Sequence, residues 1–311
     1  MRKVRNKIIN IQFFIIYIYR LIKLISQLTV KIRRKRKDEG LENYANKYLE
    51  QEFSLLNRLV EDEEYHNNYL VKANNYCRYK DIRPYLYNNV NINSSHKFIN
   101  ASWIHMPSPG MFIATQGPLP NTVEDFWTMC DQYDIQVIVM LCKVKENNME
   151  KCASYWSAKN MNKYEIKVLK EEVIDNGIVV RQFQLLNIMK KNIVKNISQI
   201  HLTCWEDHTA LSKDHFEKVI KLIKFVDKYK NNKPAIIHCS AGVGRTGTFI
   251  SLYNLYHVIM EQIFFINNDL IEFSVFNIVR KIKEMRMYMV ENENQYILLY
   301  YFVNYLLAMY N

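Results

Sequence analysis

Glycine and proline are scarce in this chain of 311 residues, with seven of one and six of the other. That rules out a collagen-like or Gly/Pro-rich low-complexity polymer, and it makes any cluster of glycines informative. None of the six cysteines forms a C-x-x-C pair, and no histidines fall at metal-ligand spacing. Neither a zinc module nor a dithiol redox centre is therefore encoded, and no metal or cofactor is implied. No apolar run reaches the roughly 20 residues that a bilayer-spanning helix needs. Acid is missing altogether from residues 1–37, which hold twelve of the 42 Lys and Arg residues. The formal charge of +11 thus belongs to the tail, and the rest of the chain is close to neutral. A basic tail of this kind gives no reason to expect a nucleic-acid partner for the folded part.

What is present is a hydrophobic fraction of 49% and an aromatic fraction of 13%, the composition of a folded globular chain. Its length is ample for a proper core. The abundance of Asn, Ile, Lys and Tyr reads as coding bias rather than a physical requirement. The tail has its own pattern. Between Lys7 and Arg20 lie twelve mostly apolar residues, and the apolar character continues to Leu28. At a helical advance of about 100° per residue, Gln12, Arg20, Lys23 and Gln27 share one side, opposite an Ile/Phe/Tyr face. This reads as an interfacial helix followed by a basic run, Lys31 to Lys37, with membrane-surface contact through residues 8–37. A signal anchor, a nuclear-import patch and a disordered extension are the alternatives. A cleavable signal peptide is disfavoured, because no small-residue cleavage site follows. The domain boundary is placed at Asp38, giving an extension over 1–37 and a folded domain over 38–311.

Within that domain, residues 41–60 have helical periodicity. "IQVIVMLC" (135–142) and "KPAIIHC" (233–239) are short β-branched runs that read as buried strands. Helices are predicted before each, from Thr122 to Tyr133 and from Ser212, a candidate N-cap, to Tyr229. Two more follow, over 246–263 and 292–310. Strands interleaved with helices predict an α/β domain with a largely buried sheet.

The stretch "AIIHCSAGVGRTGTF" (235–249) concentrates the chemistry. "GVGRTG" matches the dinucleotide pattern G-x-G-x-x-G between a strand and a helix. However, only the last fifth of the chain follows, too little for a doubly wound cofactor domain. A Walker loop is excluded by the missing Gly-Lys-Ser/Thr. A strand ending at Cys239 and a helix beginning near Arg245 would instead turn the N–H groups of Ser240, Ala241, Gly242, Val243, Gly244 and Arg245 inward. Such a nest at a helix N-terminus binds a dianion. Gly242 and Gly244 permit the curvature. Arg245 can grip two phosphate oxygens in a fork. The positive surroundings favour a thiolate at Cys239, and Thr246 can donate its hydroxyl to that sulfur. The other five cysteines read as small buried apolar residues in a reducing compartment.

The pattern His238-Cys239-(x5)-Arg245-Thr246 resembles the active-site loop of the protein tyrosine phosphatases, in their phosphotyrosine-specific, non-receptor branch. "FINASWI" (98–104), "FIATQGPLPNTVEDFW" (112–127), "VIVML" (137–141) and "KCASYW" (151–156) resemble other core signatures of that family. The likeness extends over about residues 45–305. It implies one phosphatase domain with a twisted, mostly buried mixed sheet flanked by helices on both sides. It further implies a metal-free enzyme in which Cys239 attacks phosphorus and Arg245 holds the equatorial oxygens. "CRYKDIRPY" (77–85) resembles the phosphotyrosine-recognition loop. Tyr79 would stack on the substrate ring and deepen the pocket beyond the reach of phosphoserine. Asp81 would accept from the substrate backbone, and Lys80 would favour acidic neighbours. "TCWEDHT" supplies the general acid, Asp207, 32 residues ahead of Cys239. Lys151 keeps its place as an anchor for that acid loop.

Two positions depart from the family's pattern. Glu206 stands where Pro usually lies between Trp205 and Asp207. In "VENENQYI" the Gln295-Tyr296 pair is kept, but Glu291 occupies the place of the water-positioning glutamine. Gln295 is then the candidate to take over that role. On the neighbouring loop Glu146 is kept, but Asn147 replaces the usual lysine. The likeness therefore implies phosphotyrosyl proteins as partners of a cytoplasmic monomer. A catalytically impaired phosphotyrosine trap is the alternative that Glu206 and Glu291 raise. A dual-specificity or phosphoinositide phosphatase is disfavoured by Tyr79. The composition, lone domain and irregular loops also resemble the phosphatases of wasp-associated bracoviruses. That resemblance implies a virulence factor acting on host signalling.

Overall fold

The computed structural model describes residues 30–33, 49–57, 70–72, 75–106, 110–159, 161–190, 193–206, 209, 211–266 and 270–310. Its strands are β1 (Val30–Arg33), β2 (Ala101–Met106), β3 (Gly110–Thr115), β4 (Val137–Met140), β5 (Lys145–Glu146) and β6 (Met149–Glu150), then β7 (Tyr164–Asp175), β8 (Ile178–Asn187), β9 (Ile193–Leu202), β10 (Ala235–His238) and β11 (Leu270–Phe273). The helices are α1 (49–57), α2 (Val123–Gln132), α3 (Phe216–Lys230), α4 (Gly244–Glu261), α5 (Val275–Met285) and α6 (Glu293–Tyr310).

Seven strands form one mixed sheet in the order β2-β3-β10-β4-β9-β8-β7. The four central strands, β3, β10, β4 and β9, run parallel, and antiparallel pairs close both sides. Burial follows this division. Every residue of β4 and β10 is buried, as parallel strands covered on both faces require. By contrast β8 alternates buried and half-buried residues, and β7 is exposed along most of its length. β10 lies at the centre because "AIIH" is small, β-branched and wholly apolar until its last residue. That residue, His238, abuts Cys239, so the most deeply fixed strand of the sheet ends at the thiol.

The predicted strands at 135–142 and 233–239 are thus β4 and β10, and the predicted helices are α2, α3, α4 and α6. The periodicity at 41–60 is helical at 49–57, and its remaining residues lie outside the described ones. Ser212 does not cap α3, whose N-cap is His215. A 3-10 turn, Lys213–His215, intervenes. The Ser212 hydroxyl meets the His215 ring at 2.6 Å, and so is engaged before α3 starts. All six cysteines are free; five are buried and Cys204 is half-buried. In the tail, residues 1–29 and 34–37 lie outside the described residues, and with them the predicted interfacial helix. β1, from the basic run, pairs antiparallel with β11, with Val30 opposite Phe273 and Arg33 opposite Leu270. Among the described residues no helix is long and apolar enough to cross a membrane.

Candidate active site

Cys239 leaves β10 into a turn that ends at the first residue of α4. The residue is only 3% exposed. The Gly242 N–H donates to Cys239 Sγ at 3.3 Å, and the Thr246 hydroxyl donates at 3.2 Å. Both donors aim at the sulfur from the side of the turn and of α4. Gly242 has φ +75°, and a Cβ there would stand 2.1 Å from the Thr115 carbonyl oxygen. Only glycine fits. No side chain caps α4, so its first-turn N–H groups face the turn, with the helix dipole behind them.

Arg286 holds that turn from beneath. It is fully buried and donates from Nε to the Gly242 carbonyl at 2.8 Å and from Nη2 to the Ala241 carbonyl at 3.1 Å. Its remaining bonds run to Ser102 Oγ at 3.2 Å and Asn100 Oδ1 at 3.0 Å. In a trans peptide the N–H points opposite to the C=O. Drawing the Ala241 and Gly242 carbonyls down to Arg286 therefore turns the N–H groups of Gly242 and Val243 up, toward the sulfur side. Burial pushes the Arg286 guanidinium down to about 10, so it stays charged at neutral pH and adds its field to the cradle. Nothing in the sequence reading had marked Arg286. Its signal was a lone arginine in the apolar stretch "MRMYMV".

Arg245 is equally buried and rigidly aimed. Its Nη1 and Nη2 donate to Glu146 Oε1 and Oε2 at 2.8 and 3.2 Å, and Nη1 also donates to the Trp205 carbonyl at 2.9 Å. Glu146 is itself fixed by the Lys143 N–H at 2.8 Å. A fork held along one edge keeps its plane for an incoming anion. Glu146, read from sequence only as part of a partial match, is the residue that orients Arg245. The Trp205 carbonyl ties the start of the acid loop to the same guanidinium. Asp207 itself lies outside the described residues. Glu206 is described and exposed, and its carbonyl accepts from the Thr209 hydroxyl at 2.9 Å.

At the base of the cradle His238 is wholly buried, and burial pulls it down to about 3, so it is neutral. It lies 3.0 Å from the Tyr155 hydroxyl through Nε2 and 3.2 Å from the Cys239 carbonyl through Nδ1. With the proton on Nδ1, that nitrogen donates to the Cys239 carbonyl and Nε2 accepts from Tyr155. Gln199 Nε2 in turn donates to the Tyr155 oxygen.

Three further segments converge on the turn. Tyr79 lies 3.0 Å from Ser240 Oγ through its hydroxyl, placing the ring at the rim. Its loop is pinned by Arg78, whose N–H donates to Gln116 Oε1 at 2.8 Å and whose Nη2 donates to the Pro118 carbonyl at 2.7 Å. Asp81 is exposed next to it. Lys151 is buried, with its N–H on the Val144 carbonyl at 2.8 Å. On the other side, a Cβ at Gly244 would lie 2.7 Å from Glu291 Oε2 and 3.1 Å from Gln295 Nε2. Gln295 Oε1 accepts from the Glu291 N–H at 3.0 Å. Gln295 is fully buried, and its Nε2 has no hydrogen-bond partner among the described residues. The next residue, Tyr296, donates to Glu52 Oε2 at 2.7 Å, and Tyr300 donates to the same oxygen at 2.6 Å. α1 thereby fixes the first turns of α6, which carry Gln295.

The structure thus brings Cys239, Ser240, Ala241, Gly242, Val243, Gly244, Arg245, Thr246, Tyr79 and Gln295 around one small volume. No group of His, Cys, Asp and Glu able to hold a metal ion occurs among the described residues.

The family model described as protein-tyrosine phosphatase matches residues 73–305. The chain is 34% identical over 255 residues to tyrosine-protein phosphatase non-receptor type 20 of Rattus norvegicus, covering 79% of this chain and 57% of the relative. It is 39% identical over 165 residues to tyrosine-protein phosphatase 2 of Dictyostelium discoideum, covering 51% of this chain and 41% of that protein. It spans little more than half the length of the curated relatives it matches most extensively. The crystal structure of the catalytic domain of human protein tyrosine phosphatase non-receptor type 18 is similar in fold. The TM-score is 0.74 at 24% identity, over 87% of this chain and all of that one. A structure of PTPN18 with HER2-pY1196 phosphopeptides gives 0.73 at 25% identity, over 85% of this chain and 96% of that one.

Proposed function

The chain belongs to the protein-tyrosine phosphatase family, and on that premise we propose that it hydrolyses phosphotyrosine in proteins through a phosphocysteine intermediate. Cys239 Sγ attacks phosphorus as the bond to the tyrosyl oxygen breaks, and Asp207 gives that oxygen its proton. Water then attacks the phosphocysteine, Asp207 takes a proton from it, and the P–S bond breaks to release phosphate. Arg245 and the turned-up N–H groups hold the equatorial oxygens through both steps. The observation that carries this reading is the pair of donors on Cys239 Sγ beside a guanidinium clamped by Glu146. Tyr79 sets the depth, and Asp81 and Lys80 meet the peptide flanking the phosphotyrosine. Lys151 supports the acid loop.

The second reading is a phosphotyrosine trap. Its support is the Glu291 carboxylate over Gly244, a negative charge against the site of a dianion. The resemblance to bracovirus phosphatases supports a monomeric virulence factor acting on signalling proteins in the host-cell cytoplasm. Residues 8–37 would bring it to a membrane surface.

The test is release of phosphate and of dephosphorylated peptide from a phosphotyrosyl peptide, followed from milliseconds to an hour, with Cys239→Ser as blank. Many equivalents per enzyme establish turnover. About one equivalent of dephosphorylated peptide followed by a stall locates the failure at phosphocysteine hydrolysis, and binding without any release makes the protein a trap.

A further inference from the structure

The meander β7–β9 has a face that the catalytic reading does not use. Along β8, Phe183 and Leu185 are buried, while Val180, Gln182 and Gln184 are half-buried. Alternate residues of a strand point to opposite faces, so these three look away from the core. The second half of α3 covers that outer face only in part, and two hollows of about 650 and about 430 Å³ open beside it. Gln182 and Tyr229 line both, which joins them into one groove.

The two ends of the groove differ in chemistry. The larger hollow is floored by side chains that can pair with a peptide backbone, among them Gln182, Gln184, Asn196 and Ser198. Its two charges, Asp134 and Lys195, pair with each other. The smaller hollow has an apolar wall, with Ile174 and Val180 of the sheet near Phe225 and Tyr229 of α3. Those two rings stand with centroids 4.6 Å apart, and Ile174 is exposed. Four lysines rim this end, Lys170, Lys221, Lys224 and Lys228, against one acid, Glu172.

The chain beyond residue 37 is close to neutral, so four lysines to one acid is a local concentration. Lys170 pairs with Glu172, and Lys221 pairs with Asp175. Lys224 and Lys228 enter no ion pair among the described residues. They stand four apart on one helical face, where like charges repel until an anion lies between them. Lys228 Nζ sits 5.0 Å from the centre of the Tyr229 ring, which sets a cation on the apolar wall itself.

We propose that this groove is a docking site for an extended acidic segment of a partner protein. One large apolar side chain of the segment seats between Ile174 and the Phe225–Tyr229 pair. Its carboxylates meet Lys224 and Lys228, and its backbone runs along the amides of β8 and β9. The groove begins at Asp134–Gln136, ahead of β4, and reaches Asn231, ahead of β10. Cys239 follows the other end of β10, which runs parallel to β4. A docked segment therefore leaves the cradle open.

The experiment is fluorescence anisotropy of the full chain with a labelled peptide of about ten residues, Glu and Asp around a central Phe-Leu pair, at about 0.1 M salt. A twin peptide with Gln and Asn for every acid is the control. The acidic peptide should bind at least tenfold more tightly than its twin. Lys224→Glu with Lys228→Glu should weaken it at least tenfold with the melting temperature unchanged, and Ile174→Asp should weaken it at least threefold. The basic residues 1–37 also attract acid, so a benzophenone in place of the peptide's Phe locates the site. Cross-links should fall on residues 169–174 and 224–229. Cross-links confined to residues 1–37 or to the turn 239–244 overturn the proposal, as does equal binding of the two peptides or full binding by the Lys224/Lys228 variant. A dimer in solution that this variant dissolves makes a second copy the occupant and overturns it. Phosphatidylserine vesicles held by the same two lysines, with no peptide bound, make a lipid surface the occupant and overturn it as well.

Discussion

Two loops meet over Cys239, and they are built on different terms. The turn 239–244 puts glycine where φ is positive, at Gly242, and satisfies its carbonyls with a buried arginine. The loop 286–291 puts Tyr288 at φ 58° and Val290 at φ 56°. A β-branched residue in the left-handed region is a genuine outlier, costing on the order of 1–3 kcal/mol. The first loop is a relaxed cradle whose shape its own sequence dictates. The second is a strained arm, held by packing, that presses Glu291 against Gly244, where Gln295 of α6 meets it. On the proposed mechanism, binding an anion needs the first, and the second governs what happens to the phosphoryl group once it is bound.

The comparison can be broken most severely at Gly242. Gly242→Ala forces a Cβ to 2.1 Å from a backbone carbonyl at φ +75°. Loss of more than about 3 kcal/mol of stability and of all measurable turnover is expected, read by urea unfolding and phosphate release. Next comes an acid sweep, which tests the floor of the cradle. His238 and His201 are held by burial at about 3 and about 4 in the folded chain, against an ordinary 6.5. The unfolded chain takes up protons below about 6.5 while the folded chain does not. Stability is thus complete above that pH and falls toward pH 4 by up to about 1.4 kcal/mol per pH unit for each histidine. Asp131, with hydrogen bonds from Asn187 and Lys190 outweighing the cost of its burial, lies below the usual carboxylate range and adds a loss at still lower pH. A melting temperature flat from pH 7 to pH 4.5 would refute a neutral His238.

Glu146→Ala frees the edge of Arg245 and should lower kcat/KM about 100-fold. A change under threefold would show that Trp205 alone orients the guanidinium. Glu291→Gln removes the charge beside the cradle and should raise kcat roughly three- to tenfold, with a lower KM. A fall in kcat would make the carboxylate an aid to hydrolysis instead. The smallest effect belongs to Tyr288→Gly, which relieves a left-handed residue without touching the thiol. A gain of about 0.5–1 kcal/mol in unfolding free energy is expected, with kcat within twofold.

The cradle and the centre of the sheet were legible because their residues answer to local rules. β4 and β10 are short β-branched runs, and α4 begins where a nest has to end. The meander β7–β9 escaped, because "YEIKVLKEEVID" is charged along most of its length and its pairing is decided across the sheet, not along the chain. Arg286 escaped for a related reason. Its function comes from two carbonyls more than forty residues away, and no spacing rule connects them. Glu146 was visible as a residue, but its fork on Arg245 spans 99 positions. Ser212 looked like a cap and met a histidine ring instead.

Glu52 lies ahead of residue 73, where the family match begins, yet two tyrosine hydroxyls of α6 end on its carboxylate. Removing α1 would leave both hydroxyls buried without that acceptor, at about 1–3 kcal/mol each. The slack would fall on the helical turn that holds Gln295. The folded unit therefore starts upstream of its recognisable motifs. A chain trimmed to the family's borders would keep its thiol and its cradle and lose the stop against which Gln295 is set.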